Sequence, residues 1–224
     1  MSILTGWGLP QAAVFPGSIA AIMTALFIFC RSCFWIIPVE AVLFIILAWT
    51  LSFFRNPPRK IIPDDSILYS PADGKITDIS EVEDNEFGPL LRIGIFLSIF
   101  NVHLNRVPCS VKVERITYKK GLFKDARDPD SSRVNESNTM LIKRLAEPKD
   151  NLLVRQISGA IARNIVCRVK ERDELKQGDI FGMIKFGSRT ELFFPVKDRS
   201  YTLEVKIGDN VHAGITPLVR YNYG

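Results

Sequence analysis

The sequence predicts a mainly β domain of α+β class, compact and sandwich- or barrel-like with hammerhead-like β repeats, behind an N-terminal membrane hairpin. Three observations carry that expectation. Residues 1–54 contain one cation, Arg31, and one anion, Glu40, within two long apolar runs. The rest of the chain falls into short β-type runs separated by Gly, Pro, Asn and Asp. A Lys-x-Gly-Asp pattern then recurs with its glycines at Gly178 and Gly208, in "LKQGDIFGMIKFG" and "VKIGDNVHAGITPL".

The hairpin comes first. "AAVFPGSIAAIMTALFIFC" (Ala12–Cys30) has no charge, and "FWIIPVEAVLFIILAWTLSFF" (Phe34–Phe54) has only Glu40. Each run matches the roughly 20 apolar residues that cross a bilayer core. "RSC" (residues 31–33) separates them as a tight turn. A signal peptide does not fit, because the start lacks Lys and Arg and a second apolar run follows at once. Pro38 and Glu40 interrupt the second run near its start, so a re-entrant hairpin stands beside a spanning one. Past Phe54, "RNPPRK" puts three cations at the membrane edge, which places both termini on the cytoplasmic side of a cell membrane. The prolines of "NPP" and "IPDD" act as a linker. The division expected is a hairpin and linker over 1–60 and a folded domain over 61–224.

Within that domain, "ILYSPADGKITDIS" (Ile67–Ser80) reads as strand, turn, strand, with Asp73-Gly74 as a hairpin signal. "LLRIGIFLSIFNVHLNRVPC" (Leu90–Cys109) reads as a buried strand and a turn, and "VKVERITYKKG" (Val111–Gly121) alternates as a strand. "GLFKDARDPDSSRVNESN" (Gly121–Asn138) is polar and aperiodic, a loop of the kind that often carries function. Another strand and loop lie in Ile161–Ser188, and Tyr201–Tyr221 closes the chain. No sustained helical stripe appears after residue 60, so one or two short helices are the most that is expected.

All of the net charge of +5 lies beyond the hairpin. A basic domain next to a membrane anchor points to anionic lipid rather than nucleic acid. Cys30 and Cys33 form a lone C-x-x-C, which without a second pair is a poor zinc site. Cys109 and Cys167 read as single thiols in a reducing compartment. No cluster of metal-ligating residues is apparent.

The chain has two histidines. His212, in "DNVHAG", reads as an exposed turn residue. His103, in "FLSIFNVHLNRVPC", lies just after an apolar strand and before a proline, where a structural and a functional role are both open. A Gly-Ser pair occurs at Gly17-Ser18 and at Gly187-Ser188, and the pair alone carries no information. In order along the chain, however, "RNPPR", "YSPADGKI", "FLSIFNVHLNRVPCSV", "NESN" and "GDIFGMIKFGSR" together resemble the short, membrane-bound form of the phosphatidylserine decarboxylases. The resemblance covers nearly the whole chain.

The resemblance implies self-cleavage between Gly187 and Ser188, with Ser188 becoming a pyruvoyl group, the covalent cofactor. It implies Asp73 and His103 as partners of the serine, Asp73 orienting the imidazole, with His103 also the proton donor in decarboxylation. It implies a Schiff base between the pyruvoyl group and phosphatidylserine, yielding phosphatidylethanolamine and carbon dioxide without a metal. The partners implied are phosphatidylserine in an anionic membrane and a heterodimer of the chain's own two fragments, with any higher oligomer left open. Long-form members carry two histidines three residues apart in the stretch matching "NVHLNR"; here the second position is Arg106. One imidazole then serves both maturation and decarboxylation, or another group does. The loop residues Asn135, Glu136 and Asn138 are the candidates for gripping the headgroup. The rival expectation is a membrane-anchored adaptor with a biotinyl- or lipoyl-like β domain, which the Gly-Asp repeat suggests. Against it stand the missing long helical hairpin of such adaptors and the absence of a Met-Lys-Met type turn.

Overall fold

The computed structural model describes residues 4–30, 32–128, 130–160, 165–185, 187–196 and 200–222. The chain forms two compact units, Met1–Pro58 and Arg59–Gly224.

In the first unit, α1 (Gln11–Cys30) packs along α2 (Ile36–Phe53), and both are long and apolar enough to cross a membrane. Their outward faces are bare hydrocarbon: Phe29 of α1 and Ile37 of α2 are 84% and 76% exposed. Such a surface is stable only against lipid or another apolar partner. Two threonine hydroxyls are satisfied within the helices, while Oε1 of Glu40 on α2 is buried without a hydrogen-bond partner among the described residues. Thr24 donates to the Ala20 carbonyl at 2.9 Å and Thr50 to the Ile46 carbonyl at 2.8 Å, as a low-dielectric surrounding demands. Pro38 sits in the first turn of α2, where a missing N–H costs nothing. The turn joining the helices closes through the Cys33 N–H on the Cys30 carbonyl at 2.8 Å; Arg31 of the expected "RSC" turn lies outside the described residues.

The second unit is built from strands. In chain order they are β1 (Ile67–Tyr69), β2 (Gly74–Asp84), β3 (Gly88–Leu97), β4 (Leu104–Arg106), β5 (Val111–Lys119), β6 (Ser137–Arg144), β7 (Asn151–Ile157), β8 (Ile165–Cys167), β9 (Glu174–Leu175), β10 (Ile180–Ile184), β11 (Ser188–Pro195), β12 (Tyr201–Leu203), β13 (Asn210–Val211) and β14 (Pro217–Tyr221). One helical turn, α3 (Ser131–Val134), interrupts them. A curled eight-stranded sheet runs β13-β2-β3-β11-β7-β6-β5-β9. Two three-stranded sheets, β1-β14-β12 and β4-β10-β8, accompany it. The expectation of a mainly β, sandwich-like domain behind a helical hairpin is met.

Period-two alternation sorts the faces of the large sheet. On β3, Leu91, Ile93, Ile95 and Leu97 point into the main core; on β11, Leu192 and Phe194 do. Leu68 of β1, Phe181 of β10 and Leu218 and Val219 of β14 belong to the same core, so the small sheets cover this inner face. The outer face carries only a small apolar cluster of Leu90, Leu141, Leu153 and Phe193. Val82 and Phe87 pack against that cluster, and Asp78, Arg92, Arg155, Arg189 and Glu191 form ion pairs beside it.

Two sequence expectations need correction. Asp73-Gly74 does not close a hairpin: β1 pairs with β14 and β2 with β3, so the turn hands the chain from one sheet to another. The polar stretch Gly121–Asn138 is not loop throughout, because its end contains α3 and the first residues of β6, including Asn138. Periodicity could not see this, since Ser137 and Asn138 are polar yet buried.

The Lys-x-Gly-Asp repeat is a real structural unit, and its turn occurs three times among the described residues. Gly178 and Gly208 have φ of 84° and 99°. The following aspartates, Asp179 and Asp209, accept from the backbone N–H of Lys176 and Lys206 at 2.8 and 2.9 Å. Lys170–Asp173 makes the same turn, with Asp173 accepting from the Lys170 N–H at 2.8 Å and Arg172 at φ 75°. Each turn launches a short strand: β9, β10 or β13. Arginine in the glycine position hid this third copy. Left-handed backbone disfavours a side chain, so Arg172→Gly should raise stability by about 1 kcal/mol after the added chain entropy of glycine. Comparing denaturation midpoints of the two proteins checks this.

Candidate active site

The Gly187-Ser188 junction sits where β10 ends and β11 begins. Gly187 has φ 62°, a left-handed conformation that favours glycine. Its N–H donates to Nε2 of His103 at 3.3 Å. A donor on Nε2 makes that nitrogen the acceptor, so Nδ1 carries the ring proton and gives it to the Asn101 carbonyl at 3.0 Å. Asn101 is itself fixed, its Oδ1 accepting from both the N–H and the hydroxyl of Ser98 at 2.8 Å. The short turn between β3 and β4 therefore sets the tautomer of the ring and aims an imidazole lone pair at the junction.

Ser188 is fully buried on the inner face of β11, and its Oγ has no hydrogen-bond partner among the described residues. An orphaned buried hydroxyl costs about 1–3 kcal/mol, so its retention needs a reason. Next along the same face is a chain of buried amides. Asn138 donates to Gln156 at 3.2 Å, Gln156 to Asn105 at 2.9 Å, and Asn105 to the Thr190 hydroxyl at 3.0 Å. This chain ties β6, β7, β4 and β11 together through polar contacts whose geometry is directional. It fixes β4, next to His103, relative to the strand that starts at Ser188.

On the other side of the junction the backbone of Gly159 lies against the Gly187 carbonyl. A Cβ on Gly159 would stand 2.2 Å from that oxygen and 3.1 Å from its carbon. The segment before it is clamped from the loop. Asn135 donates to the carbonyls of Ser158 and Lys124, both at 2.8 Å, and accepts from the Lys124 N–H at 2.9 Å. Ser158 donates through its N–H to the Glu136 carbonyl at 2.9 Å. A cavity of about 380 Å³ opens beside Gly187, bounded by Phe96, Ser98, Ile99, Ala126, Ala160 and the Asp125–Arg127 ion pair at 2.5 Å. The side-chain and backbone N–H groups of Arg127 hold the Asp125 carboxyl below the usual carboxylate range. Nearby in sequence, burial and the charge of Arg168 push the Lys185 ammonium below the usual lysine range.

The candidates read from the sequence thus separate. His103 meets Gly187 through the Gly187 N–H, and Ser188 follows it in the chain without its Oγ bonding the ring. Asp73 makes other contacts than the expected one to His103. Its carboxylate pairs with Arg59 at 2.7 Å, accepts from the Ala213 N–H at 2.8 Å, and lies 3.6 Å from Nδ1 of His212. Its charge also raises the pKa of Arg106 against burial and the repulsion of Arg59, which together hold Arg106 below its ordinary value. Asp73 therefore belongs with Arg59 and the Ala213 N–H and not with the ring at 103. Asn135 spends its amide on backbone groups, Glu136 accepts from the Tyr118 hydroxyl at 2.8 Å, and Asn138 belongs to the buried amide chain. None of the three lines the cavity beside Gly187; Glu136 lines a different one, of about 460 Å³, with Tyr118, Lys120 and Phe123. Asn101, Asn105, Gln156, Thr190 and Gly159 were missed. Asn101 and Asn105 stood inside a quoted motif, but which groups they bond is a long-range property.

Arg59 also revises the reading of "RNPPRK". It is not a free juxtamembrane charge: it bonds Asp73 and the Ala213 carbonyl, with side chains of Arg59 and Asp73 each 6% exposed. Breaking one side of a buried pair strands the other charge. Asp73→Ala should therefore cost about 3–5 kcal/mol of stability, read as a lowered unfolding midpoint.

Fold and site together define a β-domain protein with two membrane-length helices and a buried Gly-Ser junction. A sequence profile for "Phosphatidylserine decarboxylase" matches residues 46–218. Relatives named "Phosphatidylserine decarboxylase proenzyme" include one from Carboxydothermus hydrogenoformans, 44% identical over 79% of this chain and 82% of its own. Another, from Rhodopirellula baltica, is 41% identical over 80% of this chain and 73% of its own. A third, from Magnetococcus marinus, is 37% identical over 95% of this chain and 93% of its own. The chain belongs to the phosphatidylserine decarboxylase family, which makes it a decarboxylase by descent and favours that reading over the adaptor.

Proposed function

We propose that this protein is a self-processing decarboxylase that cuts itself between Gly187 and Ser188 and converts phosphatidylserine to phosphatidylethanolamine and carbon dioxide. The observation that carries the reading is the junction itself: a left-handed glycine whose N–H rests on Nε2 of His103, followed by a buried serine hydroxyl with no partner among the described residues. The proenzyme names of the relatives agree with it.

Maturation needs only the chain's own atoms. Ser188 Oγ loses its proton to Nε2 of His103 and bonds to the Gly187 carbonyl carbon, and the C–N bond between the residues breaks as the amine takes a proton. The resulting ester eliminates: the Ser188 Cα proton leaves, the Cβ–Oγ bond breaks, and Gly187 departs as a carboxylate. Water then replaces the α-nitrogen, releasing ammonia and leaving a pyruvoyl group at the new terminus. That group supplies a carbonyl electron sink for loss of carbon dioxide. In this reading Asn101 has the orienting part that the resemblance gave to Asp73, and Asp73 anchors Arg59. His103 holds the proton that returns to the substrate's α-carbon. Arg127, at the cavity beside Gly187, receives the anionic headgroup.

The two fragments stay together because β11 lies between β3 and β7, and β13 and β14 pair with β2 and β1. Separation would tear strands from the interior of a sheet. The reading extends to residues 1–60 as a membrane hairpin and linker and 61–224 as the catalytic domain, on the cytoplasmic face. An intact-mass measurement on protein purified from membranes tests the proposal. Two chains are expected, one ending at Gly187 and one beginning at residue 188 with the nitrogen lost. A single uncut chain in an active preparation would overturn it.

A further inference from the structure

We propose that a second, purely cationic cavity on the outer face of the large sheet binds a phosphate monoester or diester anion, at a site separate from the Gly187-Ser188 junction. The cavity has a volume of about 420 Å³, within the range of small-ligand sites. Its charged lining consists of Arg92 of β3, Lys119 of β5, Arg133 of α3 and Arg155 of β7, and no carboxylate is among the lining residues. Every other lining residue is a serine or threonine, Ser137 and Thr139 of β6 among them.

The cations are arranged for an anion and not merely scattered. Asp78 and Glu191 hold two of them from the sheet side: Arg92 Nε lies 3.1 Å from Asp78 and Arg155 Nη1 3.7 Å from Glu191. Arg189 shares the same two carboxylates. Three guanidinium groups thus face two carboxylates, and the network keeps a positive charge. Lys119 adds another; it spends one donor on the Arg133 carbonyl at 2.8 Å and has three. Among the described residues the Arg133 side chain has an exposed contact of 3.4 Å to Asp130, a weak kind of pair. Arg155 Nε donates to the Thr139 hydroxyl at 3.1 Å. A hydroxyl that accepts from a guanidinium keeps its own proton for an anion.

Clustered like charges repel, and a bound anion removes that cost. Forked guanidinium groups beside hydroxyl donors match the tetrahedral oxygens of phosphate. The anion comes either from a phospholipid headgroup of the bilayer or from free phosphate, and one experiment separates these. Full-length protein in neutral detergent is pulse-labelled with an amine acylating reagent, and modification of Lys119 is read by peptide mass, with Lys149 as reference. Inorganic phosphate is compared with chloride at equal ionic strength, and short-chain phosphatidylglycerol with neutral detergent alone. Occupancy slows Lys119 labelling severalfold and leaves Lys149 unchanged. Protection by inorganic phosphate assigns the free anion; protection by phosphatidylglycerol alone assigns the headgroup. The double variant Arg133→Ala, Thr139→Val should raise the half-protecting concentration about tenfold, the scale of one charge-assisted hydrogen bond. No protection beyond chloride and detergent overturns the proposal, as does protection that the double variant leaves unchanged.

Discussion

Ser188→Ala is expected to leave the chain in one piece and without decarboxylase activity. Alanine removes one oxygen from a site where Ser188 is fully buried and its Oγ makes no hydrogen bond to a described residue. The fold should therefore not suffer; deleting an unsatisfied hydroxyl is neutral or slightly stabilising. The chemistry should vanish, because no other atom at that position can attack the Gly187 carbonyl and no pyruvoyl group can form. Gel migration and carbon dioxide release from phosphatidylserine vesicles read the two effects. Ser188→Cys gives the complementary result, keeping a nucleophile of similar size and so some cleavage. An uncut but active Ser188→Ala protein would end the self-processing reading.

Gly159→Ala is the second large effect, and it tests the geometry of attack instead of the nucleophile. The added methyl would stand 2.2 Å from the Gly187 oxygen, and the colliding atom is backbone. Neither partner yields easily. Gly159 follows Ser158, held by Asn135 and Glu136, while β11 is locked to β7 from Arg189 opposite Ile157 onward. The carbonyl must then move by about 1 Å, a displacement that costs on the order of 100-fold in rate. Cleavage is followed by gel after synthesis in a cell-free system with liposomes. Comparing Ser188→Ala with and without Gly159→Ala, by thermal unfolding of the uncut chains, separates misplacement from misfolding. A Gly159→Ala chain that matures at the wild-type rate would show that the contact does not position the carbonyl.

The chemistry at the junction and the fold around it were legible to different degrees. Hairpin, strands and Gly-Asp turns lie in short windows of sequence, because apolar run length, alternation and positive-φ glycine are local properties. Arg172 escaped notice for the same reason: a local rule keyed to glycine passes over an arginine in the same conformation. Ser188, Gly187 and His103 were reached through an ordered set of motifs. Their partners were not, because Asn101, Gly159 and the Asn138–Gln156–Asn105–Thr190 chain act through contacts that sequence distance conceals.

Run length and alternation along the chain were enough for a mainly β domain with two membrane-length helices, and the ordered motifs for which serine and histidine to look at. Burial, backbone reach and the pairing of charges decided the rest. Tertiary structure sent Asp73 to Arg59 instead of His103, turned Asn135 and Asn138 from ligand candidates into supports, and gathered four distant cations into one cavity. A charged or amide side chain takes whichever partner the fold brings within hydrogen-bond reach, and that partner is set by strands far apart in the chain.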